Sequence, residues 1–71
     1  MARSEIDRTK VTVAMMASVM LKMDIKSGLA KKKARIDKSY MKEAGSWINL
    51  PTDEWEDWMI KALNEEIGLF A

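Results

Sequence analysis

The feature that most constrains this chain is the absence of both cysteine and histidine from its 71 residues. A chain of this length buries only about 60% of the surface that its unfolded form exposes, so its core is thin. Small domains usually compensate with a disulfide, a metal ion or a second subunit. A disulfide needs cysteine, and the common zinc sites need thiolate or imidazole ligands. We therefore expect one domain, residues 1–71, that forms a homo-oligomer, most simply a homodimer with twofold symmetry.

The spacing of the apolar residues predicts an all-α fold, a small three-helix bundle. The predicted helices span about residues 4–27, 29–44 and 53–67. Ser4 followed by Asp7 resembles the capping box of a helix start, and Thr52 suits the N-cap of the third helix. A glycine follows each apolar pattern, at Gly28, Gly45 and Gly68, where we expect the helices to end.

One short segment has a second interpretation. Thr9 to Ala14 alternates and is rich in β-branched residues, as a short strand is. A strand followed by two helices resembles the ribbon-helix-helix arrangement, in which paired strands enter the major groove of DNA. The resemblance covers six residues of pattern and no fixed motif. We prefer a helix here because no clear N-cap separates a strand from the methionine-rich residues that follow.

The residue types exclude the usual catalytic arrangements. Histidine is the commonest general base near neutral pH and cysteine is a strong nucleophile, and the chain has neither. The carboxylate pairs Glu56–Asp57 and Glu65–Glu66 are adjacent on a predicted helix and point about 100° apart, so neither forms a convergent dyad. No glycine-rich phosphate loop or spaced set of cation ligands occurs. We predict that the protein is not an enzyme and has no metal, cofactor or small-molecule substrate.

The densest apolar run, Val11 to Ile25, is no membrane span. Lys22 and Asp24 interrupt it, and a bilayer span needs about 20 predominantly apolar residues. No cleavage site of a secretory signal follows it. Since the absence of cysteine also fits a reducing compartment, we expect a cytoplasmic protein that has no membrane partner.

Charge is divided along the chain although the net charge is only +1. Residues 1–45 carry eleven basic and five acidic side chains, whereas residues 46–71 carry one basic and six acidic ones. Four basic residues recur along one face of the predicted second helix: Lys31, Arg35, Lys38 and Lys42. This basic stripe, about 16 Å long, has three interpretations: a solvated face, a face complementary to the acidic third helix, or a surface that follows the phosphates of a nucleic acid.

The first helix is apolar on two sides, which is typical of a helix that is covered on two sides. Its predicted core face consists of Ile6, Val13, Met16, Met20 and Met23. The opposite side carries an apolar stripe, Val11, Met15 and Val19. Either the rest of the chain covers this stripe, or a second copy or another protein does. Methionine is common at such adaptable contact surfaces because its flexible thioether can repack.

The three tryptophans differ in their predicted exposure. Trp55 lies in the middle of an apolar face and is expected to be buried, whereas Trp47 and Trp58 are the candidates for exposed anchors of a partner. We therefore predict a small adaptor, inhibitor or regulator that acts by protein–protein interaction. Its candidate contact residues are Val11, Met15, Val19, Trp47 and Trp58. The alternative is a small nucleic-acid-binding regulator that uses the basic stripe.

Overall fold

The computed structural model describes residues 5–70, and this part of the chain contains three α-helices, two 3₁₀ turns and no strand. The helices are α1 (Val13–Lys26), α2 (Lys38–Ile48) and α3 (Asp57–Phe70). The 3₁₀ turns span Arg8–Lys10 and Thr52–Glu54. The predicted all-α architecture with three helices is confirmed, but most of the predicted helix bounds are wrong. No helix in the described residues has both the length and the apolar character that crossing a bilayer requires.

The first helix begins later than predicted because Thr12 caps it. The Thr12 hydroxyl accepts a hydrogen bond from the Met15 backbone N–H at 3.1 Å. Val11 and Thr12 are extended, so the β-branched run indicated extended backbone correctly, but the run ends in an N-cap instead of pairing as a strand. The C-terminal end agrees with the prediction, since Gly28 adopts φ +79° just beyond α1, a region that glycine enters without strain.

Asp7 does not belong to the start of a helix that begins near residue 4. Its carboxylate instead accepts hydrogen bonds from the Thr9 hydroxyl at 2.5 Å and from the Thr9 backbone N–H at 3.1 Å. The hydroxyl contact lowers the pKa of Asp7. Asp7 thereby caps the 3₁₀ turn at Arg8–Lys10. Ser4, the other half of the predicted capping box, lies outside the described residues.

The predicted second helix, 29–44, is wrong at both ends. The chain crosses residues 29–37 as a non-helical connection, and α2 begins only after Asp37, whose carboxylate accepts a hydrogen bond from the Tyr40 N–H at 3.1 Å. Most side chains of residues 29–37 are exposed, so this stretch packs little against the core, and short helices depend on such packing. At the other end α2 continues through Gly45, because Trp47 and Ile48 pack against the core.

The third helix begins at Asp57, and the predicted cap residue Thr52 instead opens a 3₁₀ turn. This turn places Trp55 before the helix rather than on it. Trp55 is fully buried as predicted, and its indole N–H donates to the Trp47 carbonyl at 2.7 Å. The helix does not end at Gly68 but continues to Phe70.

The core draws on all three helices and on Trp55, and α1 packs against both α2 and α3. Its buried residues are Val11, Met16, Ala17, Val19, Met20, Ala44, Trp55, Met59, Ile60 and Leu63. Because α1 packs against both α2 and α3, helices of the same chain cover its two apolar sides.

Asp37 tests where α2 begins. Replacing an N-cap aspartate by alanine costs about 1 kcal/mol of stability, so Asp37→Ala should lower the free energy of unfolding by about that amount in a urea titration. Ser39→Ala, at an exposed position inside the first turn of α2, is the matched control and should change stability little. A helix running through Asp37 would give the opposite sign, since alanine is the better helix former in a helix interior.

Candidate functional site

Two of the predicted contact residues lie in the core. Val11 is 7% exposed and Val19 is 2% exposed, which leaves them too little surface for contact with a partner. Met15 is half-buried and packs against the same core. These residues are buried because α3 covers the side of α1 that carries the stripe. Val19 of α1 and Ala62 of α3 line the same cleft. The prediction that this stripe faces a partner is therefore wrong for Val11 and Val19, which are core residues, whereas Met15 stays at the edge of the core.

The other two predicted contact residues, Trp47 and Trp58, meet at one surface groove of about 250 Å³. Its apolar lining consists of Met20, Met23, Trp47, Trp58 and Met59. Its carboxylates are Asp24, Glu43 and Glu56. We call this set of residues the groove. Both tryptophans are half-buried, so each combines a fixed position against the core with surface left for a contact.

Helical spacing places the groove residues of α1 and α2. Met20, Met23 and Asp24 stand at i, i+3 and i+4 and therefore share a face of α1. Glu43 and Trp47, at i and i+4, share a face of α2. Glu56, Trp58 and Met59 come from the start of α3 and the residue before it. The groove thus forms where all three helices approach one another.

Hydrogen bonds hold two of the three carboxylates of the groove. The Tyr40 hydroxyl donates to Asp24 Oδ2 at 2.7 Å, and the Trp58 indole N–H donates to the Glu56 carboxylate. The bond to Asp24, with burial adding to it, raises the pKa of Tyr40. Glu43 is exposed and has neither a hydrogen bond nor an ion pair within residues 5–70. The groove therefore presents two oriented carboxylates and a third, Glu43, that has no hydrogen bond or ion pair in the described part of the chain.

The carboxylates are spread rather than gathered. Among the described residues, no three acidic side chains converge closely enough to hold a metal ion. Separate negative charges beside an apolar surface match several basic groups better than one cation. A second cleft, about 210 Å³ in volume between α1 and α3, differs in this respect, because the Lys22–Glu66 ion pair lies at it and balances its charge.

The basic stripe does not exist as one helical face. Lys31 and Arg35 lie in the non-helical stretch before α2, and only Lys38 and Lys42 share a helix. The stretch 29–37, which we call the basic connection, has an exposed set of cations: Lys31, Lys32, Lys33 and Arg35. Leu29 and Ile36, near the ends of this connection, are 80% and 40% exposed.

Comparisons of the chain with protein-family models, with curated proteins and with solved structures find no match. The groove and the basic connection are therefore the observations from which a function can be argued.

Tyr40 reports on the groove because it is the only tyrosine in the chain. Its pKa in the folded protein should lie above the ordinary value of about 10, and Asp24→Asn should lower it towards that value. The check is a spectrophotometric titration of tyrosinate at 295 nm. Because the folded-state pKa is the higher one, the contact stabilises the fold below about pH 10, and that contribution is lost as pH rises through the raised pKa. Equal titration curves for both proteins would contradict the hydrogen bond.

Proposed function

We propose that this protein acts by protein–protein interaction, as a small non-enzymatic adaptor, inhibitor or regulator, and that the groove receives a basic segment of its partner. The observation that carries the proposal is the composition of the groove, in which the half-buried Met23, Trp47 and Trp58 lie beside three carboxylates, alongside the buried Met20 and Met59. The proposal includes no cofactor and no small-molecule substrate. A cytoplasmic location remains a prediction from the sequence.

The apolar lining supports a side-chain anchor from the partner. Methionines repack around different shapes, and half-buried tryptophans supply large contact area at little entropic cost. Pockets for small molecules measure about 300–1,000 Å³, so a groove of about 250 Å³ falls below that range. It suits one or two large side chains inserted from a segment of another protein.

The carboxylates support a basic partner. Asp24 and Glu56 are already held by hydrogen bonds from Tyr40 and Trp58, so fewer groups need to be ordered on binding. Complementary charge raises the association rate and disfavours acidic partners. Together these features predict a recognition element in which a large apolar residue stands between lysines or arginines.

A selection of random 12-residue peptides against the immobilised protein tests this function. We expect enriched peptides to carry a large apolar residue flanked by Lys or Arg, and to change tryptophan fluorescence when titrated in solution. Glu43→Lys should weaken their binding by about tenfold or more, since it sets a like charge against the peptide. Glu65→Lys, the same change at an exposed position of α3 outside the groove, should leave binding unaltered. Peptides that bind both variants equally would rule the groove out.

A second candidate function is nucleic-acid binding, and the exposure of the basic connection favours it. Lys31, Lys32, Lys33 and Arg35 project from a non-helical segment without an acidic neighbour until Asp37. Such a segment can follow a phosphate backbone. The acidic C-terminal third of the chain disfavours this function, as does the presence of only one arginine, Arg35, in the basic connection, because arginine reads bases best.

Salt dependence tests the second candidate. Four phosphate contacts predict a slope of about −3.6 in log affinity against log salt, so binding of a labelled mixed-sequence duplex should weaken roughly 100-fold between about 50 and 200 mM salt. Charge reversal at Lys32 and Arg35 should abolish it, whereas Lys61→Glu, on α3, should not. Absence of binding at the lower salt concentration removes this candidate.

A further inference from the structure

We propose that the groove of one chain receives the basic connection of a second copy, and that two chains exchange these segments to form a twofold dimer. The proposal rests on the proposed function, since it names a partner for the same groove. It concerns which molecule occupies the groove when only this protein is present.

The composition of the basic connection fits the groove. Leu29, near one end of the segment, is 80% exposed, and Ile36, near the other, is 40% exposed. Four cations lie between them. Ile36 stands between Arg35 and Lys38 along the chain, which is the order of the recognition element that the groove predicts.

The charges of the two surfaces match in number and are opposite in sign. Residues 29–37 carry four basic side chains and the acidic Asp37, a net charge of +3. The groove carries Asp24, Glu43 and Glu56, a net charge of −3. Among residues 5–70, no ion pair joins a cation of the basic connection to a carboxylate of the groove.

The path of the backbone favours a second copy over the chain's own groove. The backbone N–H groups of Leu29 and Ala30 donate to the Asp24 carbonyl at 2.8 and 3.1 Å, which ties the start of the basic connection to the end of α1. Its side chains remain exposed in that arrangement, so they do not fill the groove beside them. Since Asp24 also lines the groove, both surfaces lie at one end of α1. In the proposed dimer, a twofold axis at that end places each basic connection against the other chain's groove.

Charge reversal in two complementary variants tests this exchange. The groove variant carries Glu43→Lys and Glu56→Lys, and the connection variant carries Lys32→Glu and Arg35→Glu. All four positions are exposed, and circular dichroism verifies that the helices are retained. Sedimentation equilibrium at about 50 mM salt should show a dimer for the native protein and self-association at least about tenfold weaker for each variant alone. An equimolar mixture of the variants should form a 1:1 dimer, because opposite charges then meet in both grooves.

A control variant distinguishes an effect of the groove residues from an effect of the net charge of the protein. Glu54→Lys with Glu65→Lys changes the charge by the same amount as the groove variant, at exposed positions outside the groove, and should dimerise like the native protein. The connection variant leaves every groove residue unchanged, so it tests the exchange even if the groove variant misfolds.

Three results would overturn the proposal: a monomeric native protein at every concentration, a dimer that neither reversal weakens, or a mixture of the two variants that stays monomeric. The peptide titration then distinguishes the two proposals. If peptides still bind in a manner that depends on Glu43, the groove remains a binding surface for other proteins and only the second copy is excluded. If peptide binding also fails to depend on Glu43, the proposed function fails with it.

Discussion

The arrangement of the three helices depends on two side chains that satisfy the C-terminal end of α2. The last carbonyls of a helix have no intrahelical partner and carry the negative end of its dipole. The Trp55 indole N–H donates to the Trp47 carbonyl at 2.7 Å, and the Arg8 guanidinium donates to the Ile48 carbonyl at 2.5 Å. The same guanidinium lies 5.2 Å from the centroid of the Trp55 ring, a cation–π distance. One cluster thus joins the N-terminal 3₁₀ turn, the end of α2 and the turn before α3, and it thereby positions Trp47 and Glu56 in the groove.

The sequence predicts the helical fold class well because amphipathic spacing survives errors in the helix bounds. The prediction from the sequence fails for the bounds of α2. Lys31 to Ala34 consists of good helix formers, which favours an earlier start, and Gly45 has the character of a terminator, which favours an earlier end. The missed signal is present in the sequence: Asp37 is a good N-cap residue, and Tyr40, Ala44, Trp47 and Ile48 follow it at helical spacing. Local propensity carries less weight than the burial of this apolar face, which only the packed fold supplies. Because the predicted start of α2 was wrong, the prediction of a basic stripe on one helical face was wrong as well.

The candidate site illustrates what a single sequence can predict. The sequence indicates Trp47 and Trp58, each by itself, as candidate exposed anchors for a partner, and both line the groove. The two tryptophans approach Met20 and Met23 only because α2 begins at Lys38 and a 3₁₀ turn precedes Trp55. Local spacing in the sequence specifies neither feature. The carboxylates were considered as neighbours along the chain, whereas the three that matter come from three different segments. Val11 and Val19 had two interpretations that periodicity could not separate, since a helix covered on two sides by its own chain has the same pattern as one that faces a partner.

The division of charge along the chain has a consequence for how the two surfaces act together. The net charges of the basic connection and the groove cancel, but the two surfaces form no ion pair with each other within the described residues of one chain, so their attraction is available between molecules. In the proposed dimer, the cations that would follow a phosphate backbone are those inserted into the partner chain's groove. A second copy would then compete with a nucleic acid for the basic connection and with a basic partner segment for the groove, and each of these ligands would weaken self-association by the same factor by which self-association weakens its binding. Self-association is in this view the resting state that any other ligand has to displace.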